Sequence, residues 1–130
     1  MKFEHFAINT ADARAVTRWY VEHLGLKIAR QMDVAPYTAF LADETGRTII
    51  EIYARTDAVV PDYAAVNPLV FHIAFVSTDN DAIRARLVAA GADRGQEDIL
   101  PDGTKLLMMR DPWGVPLQFC HRAKPFGHVA

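Results

Sequence analysis

The sequence predicts an α+β fold: two tandem βαβββ modules forming a cupped mixed sheet around a cleft. Three observations predict it. The stretch around His72 (Val70-Phe71-His72-Ile73-Ala74-Phe75-Val76-Ser77-Thr78-Asp79) repeats the one around His5 (Glu4-His5-Phe6-Ala7-Ile8-Asn9-Thr10-Ala11-Asp12) at an offset of 67 residues. That offset lays His5 on His72, Ala7 on Ala74, Thr10 on Ser77 and Asp12 on Asp79. It also carries Glu51 onto Gln118, with Ile50 falling on Leu117 and Ile52 on Phe119. Finally, each half reads strand, helix, strand, strand, strand. The organisation expected is an N-terminal module over residues 1–54, a linker over 55–68, a C-terminal module over 69–122 and a tail over 123–130, the modules together forming one domain.

In the first half, residues 2–9 alternate weakly and are rich in Phe and Ile, which reads as a strand. Phe3, His5 and Ala7 would share one face, Phe6 and Ile8 the other. Thr10 and Asp12 can each cap a helix start. Val16, Trp19, Tyr20 and Leu24 then form a helical apolar stripe with Arg14, Arg18 and Glu22 off it. Gly25 suits the left-handed residue that ends many helices. Residues 26–31, 36–42 and 47–53 read as strands, with a turn at Asp43-Glu44-Thr45-Gly46. The linker has no period, yet Val59, Val60, Tyr63 and Val66 are too apolar for a free tether.

The second half repeats the plan. Residues 69–76 read as a strand, and Ile83, Leu87 and Val88 as the buried stripe of a helix stopping at Gly91. Residues 92–100 hold an irregular strand, followed by strands at 104–110 and 115–121 separated by the turn Asp111-Pro112-Trp113-Gly114. Pro116 argues for an edge position or a free amide side.

The composition bounds the function. Of 130 residues, 51% are hydrophobic and 23% charged, which is enough apolar surface for a core. A net charge of −2 supplies no basic stripe, so nucleic acid and anionic membranes are not expected partners. The lone Cys120 forms no internal disulfide and suits a reducing compartment. The N-terminus lacks a basic stretch followed by an apolar one, and no apolar run approaches spanning length. A cytoplasmic protein is the expectation.

Period-two geometry places His5, Glu51, His72 and Gln118 opposite the bulkier apolar residues of their strands. Helices would cover the apolar face and the four polar residues would line a cleft. Two imidazoles, a carboxylate and an amide oxygen suit a divalent first-row ion: nickel, zinc, cobalt, manganese or iron. Two histidines with one carboxylate also match the non-haem iron pattern. An amide in place of a second carboxylate leaves the metal more positive and a bound water more acidic.

These residues resemble the vicinal oxygen chelate superfamily. That group holds glyoxalase I, fosfomycin-resistance proteins, methylmalonyl-CoA epimerase, extradiol dioxygenases and bleomycin-resistance proteins. The resemblance rests on His5-Phe6-Ala7-Ile8-Asn9 with Trp19-Tyr20 and Leu24-Gly25-Leu26, on His72-Ile73-Ala74-Phe75, and on the closing Asp111-Pro112-Trp113-Gly114-Val115-Pro116-Leu117-Gln118. It runs to about His121. It implies metal ligands at His5, Glu51, His72 and Gln118, and a lyase or isomerase acting on a small oxygenated substrate chelated by the metal. It also implies a homodimer, since the family builds its cupped sheet within one chain or across two. Two departures matter. Gln118 stands where glutamate is usual, so the base role passes to Glu51 or a metal-bound hydroxide. Asn9 stands where glyoxalase I carries an arginine for glutathione, against that activity. The alternatives are a metal-free ligand-binding protein of the bleomycin-resistance type and a non-haem iron dioxygenase.

Other residues take plainer readings. Trp19 and Tyr20 read as core and Trp113 as a turn aromatic, either a cleft wall or a surface residue, and one of Met108 and Met109 must face the cleft side. Arg110 reads as a surface arginine, with contact to an anionic substrate as the rival. His23, His121 and His128 fall outside the repeat.

Overall fold

A computed structural model describes residues 1–127, so His128 and the last three positions of the expected tail lie outside the described residues. The chain divides into two compact units, Met1–Pro61 and Asp62–Ala130. Of the expected linker, residues 55–61 therefore fold with the first unit and 62–68 with the second.

The first unit runs β1 (Phe6–Asn9), α1 (Ala13–Leu24), β2 (Lys27–Gln31), β3 (Ala39–Ala42) and β4 (Thr48–Tyr53). Its sheet order is β1-β4-β3-β2, with β1 parallel to β4 and the other pairs antiparallel. The second runs β5 (Ile73–Val76), α2 (Asn80–Ala89), β6 (Gln96–Ile99), β7 (Lys105–Arg110) and β8 (Pro116–His121). Its order is β5-β8-β7-β6, again with one parallel pair and two antiparallel ones. Each half is thus the predicted βαβββ module.

The 67-residue offset is a structural register. Ala7 stands opposite Glu51 in the first parallel ladder, and Ala74 opposite Gln118 in the second. Asp12 caps α1 by accepting from the Ala15 amide at 3.0 Å, and Asp79 caps α2 by accepting from Ala82 at 3.0 Å. Thr10 N donates to the Tyr53 carbonyl and Ser77 N to that of Cys120. Removing either cap would cost about 1 kcal/mol.

One face of each sheet is buried. In the first unit Ile8, Leu41, Ile50 and Ile52 pack with Val16 and Tyr20 of α1. In the second, Leu107, Met109, Leu117 and Phe119 pack with Leu87 of α2. Burying a side chain of this size contributes about 1.5–3 kcal/mol, so these two layers drive folding. Among the described residues no helix is long and apolar enough to cross a membrane.

Several boundaries differ from the sequence reading. β1 starts at Phe6 and β5 at Ile73, so each histidine sits just before its strand, not within it. Before β5 a turn intervenes: the Asn67 carboxamide accepts from Leu69 N, and its carbonyl accepts from Val70 N. β3 starts at Ala39, because Tyr37 has the left-handed backbone conformation, φ 58°, which an extended strand cannot include. Pro116 is not on an edge, since β8 lies between β5 and β7. It is the first residue of its strand, before pairing with β5 begins at Leu117, so no ladder bond to β5 needs its missing amide.

Candidate functional site

Each module carries two of the predicted ligands, and Glu51 and Gln118 lie on the sheet face opposite the buried Ile50, Ile52, Leu117 and Phe119; of the four, His5 and Glu51 are brought close together. In the first module, Glu51 is paired with Phe40 of β3 and Ala7 of β1. His5, half-buried, meets the Phe40 ring edge-on at 5.2 Å. Its Nε2 stands 3.9 Å from Glu51 Oε1, and its Nδ1 donates to Glu4 Oε1 at 2.8 Å. A carboxylate oxygen can only accept, so Nδ1 carries the proton in the contact with Glu4.

In the second, Gln118 faces Met108 across the β7–β8 ladder. Its Oε1 accepts from the Cys120 thiol at 3.3 Å. Burial pushes that thiol up, opposed by the charge of Arg122, which keeps the sulfur a proton donor. His72 Nδ1 donates to the Pro68 carbonyl at 2.7 Å. Nδ1 is again the protonated nitrogen, leaving Nε2 as the ligand-type atom. Metal-binding histidines are held in this way by an acceptor on the other ring nitrogen. The two modules are alike in backbone register, each histidine standing two residues before the alanine that pairs with Glu51 or Gln118. Among the described residues, no three His, Cys, Asp or Glu side chains are grouped to hold a metal ion.

The open face of the second sheet carries a cleft of about 580 Å³. Leu69, Leu106 and Met108 give its lining apolar surface, Gln96 and Gln118 give it amides, and Asp93 and Asp98 give it carboxylates. Of the two methionines it is Met108 that stays half-exposed, while Met109 is buried. Arg110 also lines the cleft, but it is no plain surface arginine. Its guanidinium donates to the carbonyls of Tyr63, Gly114 and Val66 at 2.7, 3.0 and 2.7 Å. Sequence reasoning missed this role because a side chain bonded to distant carbonyls leaves no periodic signal.

Asn9 is likewise committed to the backbone. Its Nδ2 reaches the carbonyls of Arg55, Ala58 and Val59 at 3.1–3.2 Å, and its Oδ1 accepts from Arg55 N at 2.8 Å. Asn9→Ala would strand several part-buried backbone groups. It is expected to lower stability by about 2–3 kcal/mol, measured as a shift in the urea midpoint followed by a probe in the first unit.

The model of the glyoxalase-like domain matches residues 5–120, nearly the whole chain. The chain belongs to this family. It thereby joins the vicinal oxygen chelate superfamily that its motifs resemble. No curated protein sequence matches. Among solved structures, TnmS3, an antibiotic-binding protein from Streptomyces sp. CB03234, superposes with a TM-score of 0.73 at 17% identity, covering 95% of this chain and 97% of that one. A glyoxalase-related enzyme from Fulvimarina pelagi gives 0.71 at 18%, covering 97% and 92%. A lactoylglutathione lyase from Agrobacterium tumefaciens gives 0.66 at 15%, covering 92% of each. At such identities the likeness establishes the fold alone.

Proposed function

We propose that this glyoxalase-like protein is a metal-dependent enzyme, of lyase or isomerase type, acting on a small oxygenated molecule. His5, Glu51, His72 and Gln118 would hold a divalent ion. The observation that carries this reading is the congruence of the two modules. Each places an imidazole with acceptor-bound Nδ1 beside a strand whose partner bears an oxygen ligand.

The donor set fits such an ion in kind: two imidazole nitrogens, a carboxylate and an amide oxygen. Each module supplies only two donors. The full set needs both modules, of one chain or of two chains in a homodimer. When bound, the ion would act as a Lewis acid on a substrate oxygen. Glu51 is the group able to move a proton, being a carboxylate within reach of the His5 imidazole, whereas the Gln118 amide cannot act as a base.

The cleft supports a statement about the ligand. The charged groups on its lining are Asp93, Asp98 and Arg110, and the Arg110 guanidinium, though still cationic, turns N–H groups to three carbonyls. Two carboxylates against one engaged guanidinium suit a neutral or cationic molecule with apolar surface better than an anion. A second reading, metal-free ligand binding, is favoured by the same cleft, because about 580 Å³ suits a small molecule without any ion. A non-haem iron dioxygenase has only the two histidines and one carboxylate in its favour. The single thiol, buried at Cys120, supports a cytoplasmic setting.

Elemental mass spectrometry of the purified protein beside His72→Ala tests the proposal. The expected result is bound nickel, cobalt, zinc, manganese or iron in the wild type, lost from the variant while its circular dichroism is unchanged. No metal uptake after incubation with each of these ions would leave metal-free binding as the function.

A further inference from the structure

We propose that Arg110 is a positioning residue for His72. It clasps residues 62–68 against the turn between β7 and β8, and this fixes the His72 imidazole with Nδ1 protonated and Nε2 bare. What His72 then does rests on the proposed function; the positioning itself does not.

The clasp is built from both sides. Arg110 ends β7 on the open face, and its backbone amide donates to Asp93 Oδ1 at 2.7 Å, which anchors the strand end. Its side chain gathers three carbonyls at once, those of Tyr63, Gly114 and Val66. Only a planar, five-donor guanidinium matches that array, and each bond is charge-assisted. Tyr63 and Val66 bracket a single 3-10 turn, Tyr63–Ala65. The turn lies so close to Gly114 that a Cβ there would come 2.6 Å from Ala64 N, and Gly114 has φ +90°. A side chain at that position would push the segment away.

The clasp reaches His72 through consecutive bonds. Directly after Val66, Asn67 closes a turn, its side chain accepting from Leu69 N and its carbonyl from Val70 N and Phe71 N. Buried Tyr63 sets its ring 6.4 Å from that of Phe71. Pro68 sits inside this turn, and its carbonyl takes the His72 Nδ1 proton at 2.7 Å. A carbonyl cannot donate, so the neutral imidazole must be the Nδ1–H tautomer, the less favoured form of a free imidazole. Without the clasp, Pro68 O moves and the ring reverts to Nε2–H, which blocks the nitrogen that Pro68 otherwise leaves bare.

Two-bond proton–nitrogen NMR on the EDTA-treated, ¹⁵N-labelled full chain reads the tautomer without any metal. Above the imidazole titration, wild-type His72 is expected to be mainly Nδ1–H. Arg110→Met and Gly114→Ala break the clasp from opposite sides, and both are expected to turn His72 mainly to Nε2–H. Arg110→Lys keeps the charge but serves fewer carbonyls and is expected to give a mixture. Leu87→Ala, a cavity in the core of the same module, should lower stability and leave the tautomer alone. A His72 that stays Nδ1–H in any folded clasp variant, or is Nε2–H in the wild type, overturns the proposal. Nickel titration adds a second readout, an expected loss of about 10-fold in affinity in the clasp variants. If the wild type takes up no metal while the tautomer still responds, the metal reading fails and the positioning stands.

Discussion

Gly95→Ala is expected to lower the stability of the second unit by about 3–5 kcal/mol, the largest effect foreseen for any single methyl group in this chain. Gly95 precedes β6 with φ +60°. That conformation alone costs an alanine about 1 kcal/mol or slightly more. A Cβ there would also lie 2.1 Å from the Met108 carbonyl oxygen, 2.9 Å from its carbon and 2.7 Å from Met109 Cγ. The methionine side chain can yield; the backbone of β7 cannot, because its other edge is paired with β8. β6 must therefore move off β7, losing the Gln96–Met108 end of their ladder. Gly103→Ala is the control. It has φ +90° with nothing within 4 Å of the added Cβ, so it suffers the backbone strain alone, about 1–2 kcal/mol. Urea midpoints give the two stabilities, and hydrogen exchange at Gln96–Ile99 shows whether β6 is what comes loose. Equal losses in the two variants would mean that β6 and β7 are less closely joined than their geometry requires. Gly95 also lines the cleft, so ligand binding there should suffer in Gly95→Ala and be retained in Gly103→Ala.

The fold was legible because duplication writes the same physics twice. A histidine before a strand or an aspartate before a helix says little alone. The same pair recurring at one offset, with Ile50 and Ile52 answered by Leu117 and Phe119, fixes both the register and the buried face. The strand starts were read too early because the sequence shows apolar alternation and not where a ladder partner begins. β4 starts at Thr48 and meets β1 only from Phe6 onward. Tyr37, with its left-handed backbone, gave no glycine to mark the bend before β3. The candidate ligands were readable as residue types sharing a face. Their orientation was not: the acceptors on His5 and His72 are Glu4 and the Pro68 carbonyl, and the second exists only because a folded turn brings it there. The loop-holding bonds of Arg110 and Asn9 went unread for the same reason, since most of their partners are backbone groups remote in sequence. The Asn9 amide is already occupied by residues 55–59, so its role in this chain is to hold a loop.

Mixing His5→Ala chains with His72→Ala chains is expected to restore metal binding that neither variant has alone. The argument starts from donor number. A divalent first-row ion takes about four ligands or more, and each module offers two of the proposed ligands. A second copy can supply what is missing. β5 is an edge strand of its sheet, and near it Leu69, Val70 and Val76 are 85%, 80% and 87% exposed. An apolar, unpaired edge of this kind favours association with another chain. In a homodimer that joins the first module of one chain to the second module of its partner, a mixed dimer holds one site lacking both histidines and one retaining both. Random exchange makes about half of the dimers mixed, so roughly a quarter of wild-type sites should return. The variants are unfolded together in urea, refolded, loaded with nickel and assayed for metal per chain, with each variant refolded alone as the baseline. If all four ligands come from one chain, every site in the mixture carries one replaced histidine and no binding returns. Recovery would therefore place the ligands on two chains, whereas no recovery, with the wild type loading normally through the same procedure, would place them on one.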